Sequence, residues 1–121
     1  MAKKYTSYQE LLDYAEQEAD SFSLVWRNMA FENSAFELIE QLSPWLISDY
    51  SSSSWPRTRL IGEKARVKTY QVTPETINLL KSVKSVFEFL APKYPEDIAF
   101  YKGKSVIFSS VAHEEEAWFE T

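Results

Sequence analysis

The sequence predicts an α+β domain: three helices packed on one face of a three- to five-stranded, mainly antiparallel sheet that ends in a C-terminal β-meander. Three observations carry this expectation. Apolar residues recur at helical spacing in three segments that open on capping residues. The period then switches to that of strands near Asp97. A Lys102-Gly103 pair sits between two strand-like runs, and glycine accepts positive φ at little cost.

The first helix opens on Ser7 with Glu10 three residues later, the pattern of a capping box. Leu11, Leu12, Ala15, Ala19, Phe22 and Trp26 follow at helical spacing, and Tyr8 joins one turn earlier. The predicted helix therefore extends through Trp26 and ends at Asn28. A second helix is predicted from Ser34 to Leu42, with Ser34 and Glu37 as its capping box and Phe31 as its hydrophobic staple. Ala35, Leu38, Ile39 and Leu42 form its apolar stripe. Ser43-Pro44 ends it or begins a further short turn.

Residues 48–58, with four consecutive serines and then Trp55-Pro56, read as a loop. That run is too short to separate two domains, so residues 1–121 are expected to form one. Trp55 is expected as a lid over the core, with a recognition surface as the competing reading. A strand is predicted from Lys64 to Val72, with Ala65, Val67 and Thr69 on one face and Arg66, Lys68 and Tyr70 on the other. Arg59 to Ile61 is a candidate extra strand. Thr73 and Pro74 start the third helix as cap and first residue. Its stripe of Ile77, Leu80, Val83 or Lys84, Phe87 and Leu90, widened by Leu79 and Val86, carries it to the Pro92–Pro95 region. Asp97–Tyr101, Ser105–Val111 and Ala117–Glu120 form the terminal meander. Phe22, Trp26, Leu80 and Phe87 are the expected main core.

Composition narrows the function classes. The chain has 121 residues, no cysteine and a net charge of −5. It therefore forms no disulfide, no thiolate nucleophile and no cysteine-based zinc site. No apolar run has the length to span a bilayer and no signal-peptide pattern appears, so a cytoplasmic, non-membrane protein is expected. Two glycines leave no phosphate-cradling loop, dinucleotide fingerprint or nucleophile elbow. No catalytic residue, metal or cofactor is expected.

His113 is the only histidine and stands in His113-Glu114-Glu115-Glu116. It is expected to be structural, with a ring nitrogen satisfying a buried backbone group at the corner before the last strand. A weak metal site or a base paired with Glu114 is the functional alternative. Charge is segregated along the chain. Residues 1–56 hold three basic and nine acidic side chains, residues 57–104 ten and five, and residues 105–121 none and four. The segment Arg57 to Lys68 is a candidate nucleic-acid patch. A solvated strand edge is the preferred reading, because the rest of the chain repels phosphate.

Aromatic residues make up 16% of the chain, too many for all to be deeply buried in so small a body. Tyrosine and tryptophan are favoured at interfaces. A protein-interaction surface is therefore expected from Trp55, Arg57, Arg59, Arg66, Lys68, Tyr70, His113, Glu114 and Trp118, with another protein as the partner and a homo-oligomer as the second possibility.

Most of the chain resembles a family of small, uncharacterised bacterial cytoplasmic proteins best known from Gram-positive species, some of which carry a sporulation-related label. The resemblance is carried by Tyr14, Ala19, Asp20, Phe22, Leu24-Val25-Trp26-Arg27 and Ser54-Trp55-Pro56-Arg57-Thr58. It continues in Pro95 through Tyr101, Gly103, Val111-Ala112-His113-Glu114 and Trp118-Phe119. Where the family has Trp-Pro-Gly-Thr, this chain has Arg57 in place of the glycine. The resemblance implies no catalytic residue. In size and acidity it is also similar to immunity proteins that neutralise toxins.

Overall fold

In the computed structural model, residues 3–4, 7–27 and 30–120 are described. Lys3–Lys4 form β1. Helix α1 spans Tyr8–Glu18 and strand β2 spans Ser21–Trp26. Helix α2 covers Asn33–Leu42, followed by a 3-10 turn at Ser43–Trp45 and by β3, Leu46–Ser52. A small hairpin pairs β4 (Ser54–Trp55) with β5 (Thr58–Arg59). Then come β6 (Ala65–Gln71), α3 (Pro74–Leu80), β7 (Glu96–Lys102), β8 (Ser105–Val111) and β9 (Glu116–Phe119).

The main sheet is ordered β1-β9-β8-β7-β2-β6-β3, and every pairing within it is antiparallel. It thus has six full strands and the two-residue β1, more than the three to five the sequence predicts. The additions come from segments that read as helix or loop. Phe22 and Trp26 fit a helical stripe, but Phe22, Leu24 and Trp26 also alternate, and the chain uses the alternation. Ala19 leaves the helix with extended backbone, and β2 becomes the strand paired to both β6 and β7. The expected helix end at Asn28 lies outside the described residues. The serine-rich segment is a strand as well, because β6 pairs with it along its whole length.

Helix starts follow local chemistry. The Ser7 hydroxyl accepts from the Glu10 N–H at 3.0 Å. At α3, Thr73 and Thr76 close a reciprocal capping box, and Pro74 takes a first-turn position whose N–H has no helical partner. The Ser34–Glu37 box is not used. Glu32 is the N-cap of α2 without a side-chain cap bond, and the Ser34 hydroxyl donates to the Lys93 carbonyl instead. Phe31 and Phe36, at the staple positions of α2, both pack on Trp26, with centroids 4.3 and 5.4 Å away.

Helix α3 stops at Leu80, well short of the length its stripe suggests. Bonds from Ser82 N–H to Leu79 and from Val83 N–H to Leu80 tighten the chain into turns. Ser85 then caps a 3-10 turn at Val86–Glu88. This irregular path still delivers Val83, Val86 and Phe89 to the interior.

The three helices share one core with one face of the sheet. Leu11, Leu12 and Ala15 of α1, Leu38 and Leu42 of α2, and Ile77 and Leu80 of α3 meet Phe22, Tyr70, Ile98, Phe100, Phe108 and Phe119. A smaller cluster of Val25, Trp55, Ala65 and Val67 covers part of the opposite face. Tyr14 of α1 lies edge-on to Phe119 of β9, so α1 sits toward the β9 side of the sheet. Among the described residues, no helix is long and apolar enough to cross a membrane.

Of the four expected core residues, Phe22 and Leu80 are fully buried, whereas Trp26 and Phe87 are half-buried. Phe89 takes the interior place that the helical stripe assigned to Phe87. Phe89→Ala is expected to cost about 3–5 kcal/mol. Phe87→Ala should cost clearly less, and urea denaturation of the two variants side by side reads the difference.

Candidate functional site

Two features of the fold bring charged and aromatic side chains together. The first is a corner built on Glu96 and Asp97. Between β2 and β7 the register slips: Ser23 faces Ala99, but Val25 faces Glu96. One extra β7 residue is therefore taken up in a bulge, and Asp97 there has φ 53°. Aspartate tolerates this left-handed backbone better than most residues. Asp97 Oδ2 accepts from Trp55 Nε1 at 3.0 Å, Oδ1 accepts from the Ala112 N–H at 2.9 Å, and the Asp97 N–H donates to the Phe89 carbonyl. Burial pushes the Asp97 carboxyl above the usual range, although these hydrogen bonds oppose the shift.

Beside it, Glu96 is only 3% exposed, and its Oε1 has no hydrogen-bond partner among the described residues. Arg27 Nε approaches that oxygen to 3.9 Å while the Arg27 guanidinium also pairs with Glu63. Burial, reinforced by the neighbouring Asp97 charge, raises Glu96 as well.

The second feature is the β3 edge and the basic end next to it. Strand β3 is terminal in the sheet, and none of its residues is buried. Ile47 is 59% exposed and Tyr50 48%, and Leu46 is exposed beside them. Asp49 holds the strand to β6 through Arg66 and Lys68, each at 2.8 Å, and these bonds keep its carboxyl below the usual range. At the far end of β3, a cleft of about 270 Å³ is lined by Trp26, Arg27, Ser51, Lys64, Ala65 and Arg66. A second, of about 260 Å³, adjoins it through Lys64 and is lined also by Ser53, Arg59, Leu60, Gly62 and Glu63. Ile61, in the turn between them, is 96% exposed, and Phe36 beside Trp26 is 55% exposed. Trp26 Nε1 is buried with no acceptor among the described residues.

The residues singled out from sequence separate into five places. Arg59, Arg66 and Lys68 lie at the β3–β6 end. Trp55 is a lid, buried on Val25, Ala65 and Val67 and bonded to Asp97. Arg57 pairs with Glu120 and stacks 4.3 Å over Trp118. Tyr70 is in the core, stacked on Phe22, and offers no surface to a partner. His113 and Glu114 stand on the exposed 3-10 turn Ala112–Glu114, with His113 Nε2 3.7 Å from Glu114 Oε1.

The corner role assigned to the His113 ring belongs to Asp97. Among the described residues no backbone bond to that ring is found, and it is Asp97 that satisfies the Ala112 N–H. Nor do the described residues hold a group of three potential metal ligands. Sequence reasoning passed over Leu46, Ile47, Asp49, Tyr50 and Ile61, and the buried pair Glu96 and Asp97. The available signal was the β-prone trio Leu46, Ile47 and Tyr50, which the serines around them obscured.

Arg57 sits at φ 69° in the two-residue turn of the β4–β5 hairpin, after Pro56. That is the turn position glycine suits best. Arg57→Gly exchanges an exposed ion pair for a relaxed backbone, whereas Arg57→Ala loses the pair and keeps the strain. The glycine variant is expected to be the more stable of the two by about 1 kcal/mol in denaturant titrations.

Asp97→Asn keeps the shape but turns one acceptor into a donor, facing either the Trp55 or the Ala112 N–H. A loss of about 1–3 kcal/mol is expected by chemical denaturation. Glu96 adds a pH dependence in the same direction as Asp97. The folded-state pKa of Glu96 is raised, so the folded chain binds the proton more tightly than the unfolded one. That contribution is fully present below the ordinary glutamate range and is lost as pH rises through the raised folded value. The melting temperature should therefore rise as pH is lowered from 7 toward 5, and Glu96→Gln should flatten that slope.

No protein-family model, no curated protein and no solved structure matches this chain.

Proposed function

We propose that this chain is a small cytoplasmic protein-interaction module, of the inhibitor or toxin-immunity kind, whose recognition surface is the open edge of β3. A single observation carries the reading: a seven-residue edge strand with no buried residue that exposes Leu46, Ile47 and Tyr50. An edge strand presents unpaired N–H and C=O groups, which a partner's extended segment satisfies by adding a strand. Alternate side chains of the added strand then read the surface on either side.

The surroundings support this reading over catalysis. The His113 and Glu114 side chains are 50% and 56% exposed, where water screens any base. They support it over nucleic-acid binding too. Arg57, Arg66 and Lys68 are each already bonded to a carboxylate, and the exposed aliphatic and aromatic groups of β3 have no counterpart on a phosphate backbone.

The test is selection of a random decapeptide display library on the wild-type protein and on an Ile47→Ser/Tyr50→Ser variant. Both positions are exposed, so the variant should keep its circular dichroism spectrum and its stability within about 0.5 kcal/mol. Peptides selected on the wild type should bind the variant at least tenfold more weakly, because the apolar side chains that an added strand would cover are gone. Peptides that bind both proteins equally would place recognition elsewhere and end the β3 reading.

A further inference from the structure

We propose that the segment β3 accepts is acidic, its carboxylates held at the basic end of the sheet by Arg59 and Lys64. The proposal rests on the β3-edge reading and adds the chemistry of the partner. It follows from where the fold puts charge. In a chain of net charge −5, the β3–β6 end gathers five cations, Arg27, Arg59, Lys64, Arg66 and Lys68, around two exposed carboxylates, Asp49 and Glu63. Among the described residues, Arg59 and Lys64 have no ion-pair partner. Both line the second cleft, and Lys64 lines the first as well.

Besides Asp49, Glu63 and the buried Glu96, several acidic residues lie elsewhere. Glu116 is in β9, five strands from β3, or about 24 Å at about 4.8 Å per strand. Glu18 pairs with Lys102 at the end of α1, the helix that packs toward β9. Glu37 lines a different cleft with Ser82 and Tyr94. The Debye length at physiological salt is about 8 Å, so the acidic pole is screened at the β3 edge and the local cations decide the sign of the field. An extended segment laid along β3 toward Ser51 and Ser52 arrives at the first cleft. There Trp26 and Ala65 line the cleft beside Lys64 and Arg66.

The edge also selects against the other occupants. A second copy paired antiparallel along β3 would set the basic end against the uncharged Leu46–Ile47 end and leave Arg59 and Lys64 without a carboxylate. Nucleic acid shares the negative charge but offers no strand to the open backbone and no apolar side chain to Ile47, Tyr50 and Ile61.

The experiment uses the same decapeptide library on the wild-type protein and on Arg59→Glu/Lys64→Glu, two exposed substitutions at residues with no ion pair to break. Wild-type selections should be enriched in Asp and Glu. Their binding should weaken at least tenfold in the charge-reversed protein and decline with added sodium chloride. The reversed protein should in turn select basic peptides. Edge-dependent peptides with no acidic enrichment, or with affinity unchanged by the reversal, would overturn this proposal and leave the β3 reading standing. Failure of the Ile47→Ser/Tyr50→Ser control would remove both. Two further outcomes overturn the acidic-segment proposal: a concentration-dependent dimer in sedimentation equilibrium that Ile47→Ser/Tyr50→Ser abolishes, or salt-sensitive retention of a DNA oligonucleotide that Arg59→Glu/Lys64→Glu abolishes without acidic peptides being selected.

Discussion

Three distant parts of the chain meet at one residue. Asp97 draws the Trp55 indole from the β4–β5 hairpin, the Ala112 N–H from the turn after β8 and, through its own N–H, the Phe89 carbonyl from the turn that precedes β7. None of these segments has much structure to stabilise it alone. The hairpin strands are two residues long, and a hairpin of that size is not stable in water by itself. Its position over Val25, Ala65 and Val67 depends on the Trp55 anchor and on the Arg57–Glu120 pair. The bulge makes this possible, because the extra residue and its left-handed φ turn the Asp97 carboxylate out of the regular alternation.

Burying that carboxylate has a cost, and Glu96 beside it adds to the cost. Asp97 recovers much of it through two N–H donors. Glu96 relies on Arg27 at 3.9 Å, a contact that Arg27 shares with Glu63. The result is a corner whose polar groups are unevenly satisfied, at the same end of the sheet as the basic clefts. Arg27 links the two: it faces Glu96 inward and lines the cleft beside Ser51 and Arg66.

The β3 edge is governed by pairing rather than burial. Its serines and exposed apolar groups contribute little to the interior, so the strand is held by its ladder to β6 and by Asp49 across Arg66 and Lys68. An element with few buried contacts belongs to the least stable part of a fold, where recognition surfaces are often found. A charged residue within an exposed edge also discourages indiscriminate edge-to-edge association. The open edge is thus kept available in a chain that still has reason to stay dispersed.

Much of this architecture was legible in the sequence, and the boundary is a physical one. Ser7, Thr73-Pro74 and Lys102-Gly103 announced two helix starts and a hairpin, because caps and turns depend on residues next to one another in the chain. Alternation marked β6 to β9 for the same reason. Phe22 and Trp26 did not announce their element, since a spacing of four fits a helix and a strand alike. Tertiary pairing on both sides made the segment β2. The stripe after Thr73 did not reveal that Phe89, rather than Phe87, would be interior, because the chain breaks into turns after Leu80. The expected surface dispersed likewise: Tyr70 and Trp55 went inward, Arg57 went to Glu120, and only Arg59, Arg66 and Lys68 joined Lys64 and Arg27 at the β3 end. By itself the sequence determined the α+β class, two of the three helix starts and the acidic excess. Only the tertiary structure decided which strand is left at the edge, which carboxylates are buried and where positive charge gathers, because each depends on contacts between residues tens of positions apart.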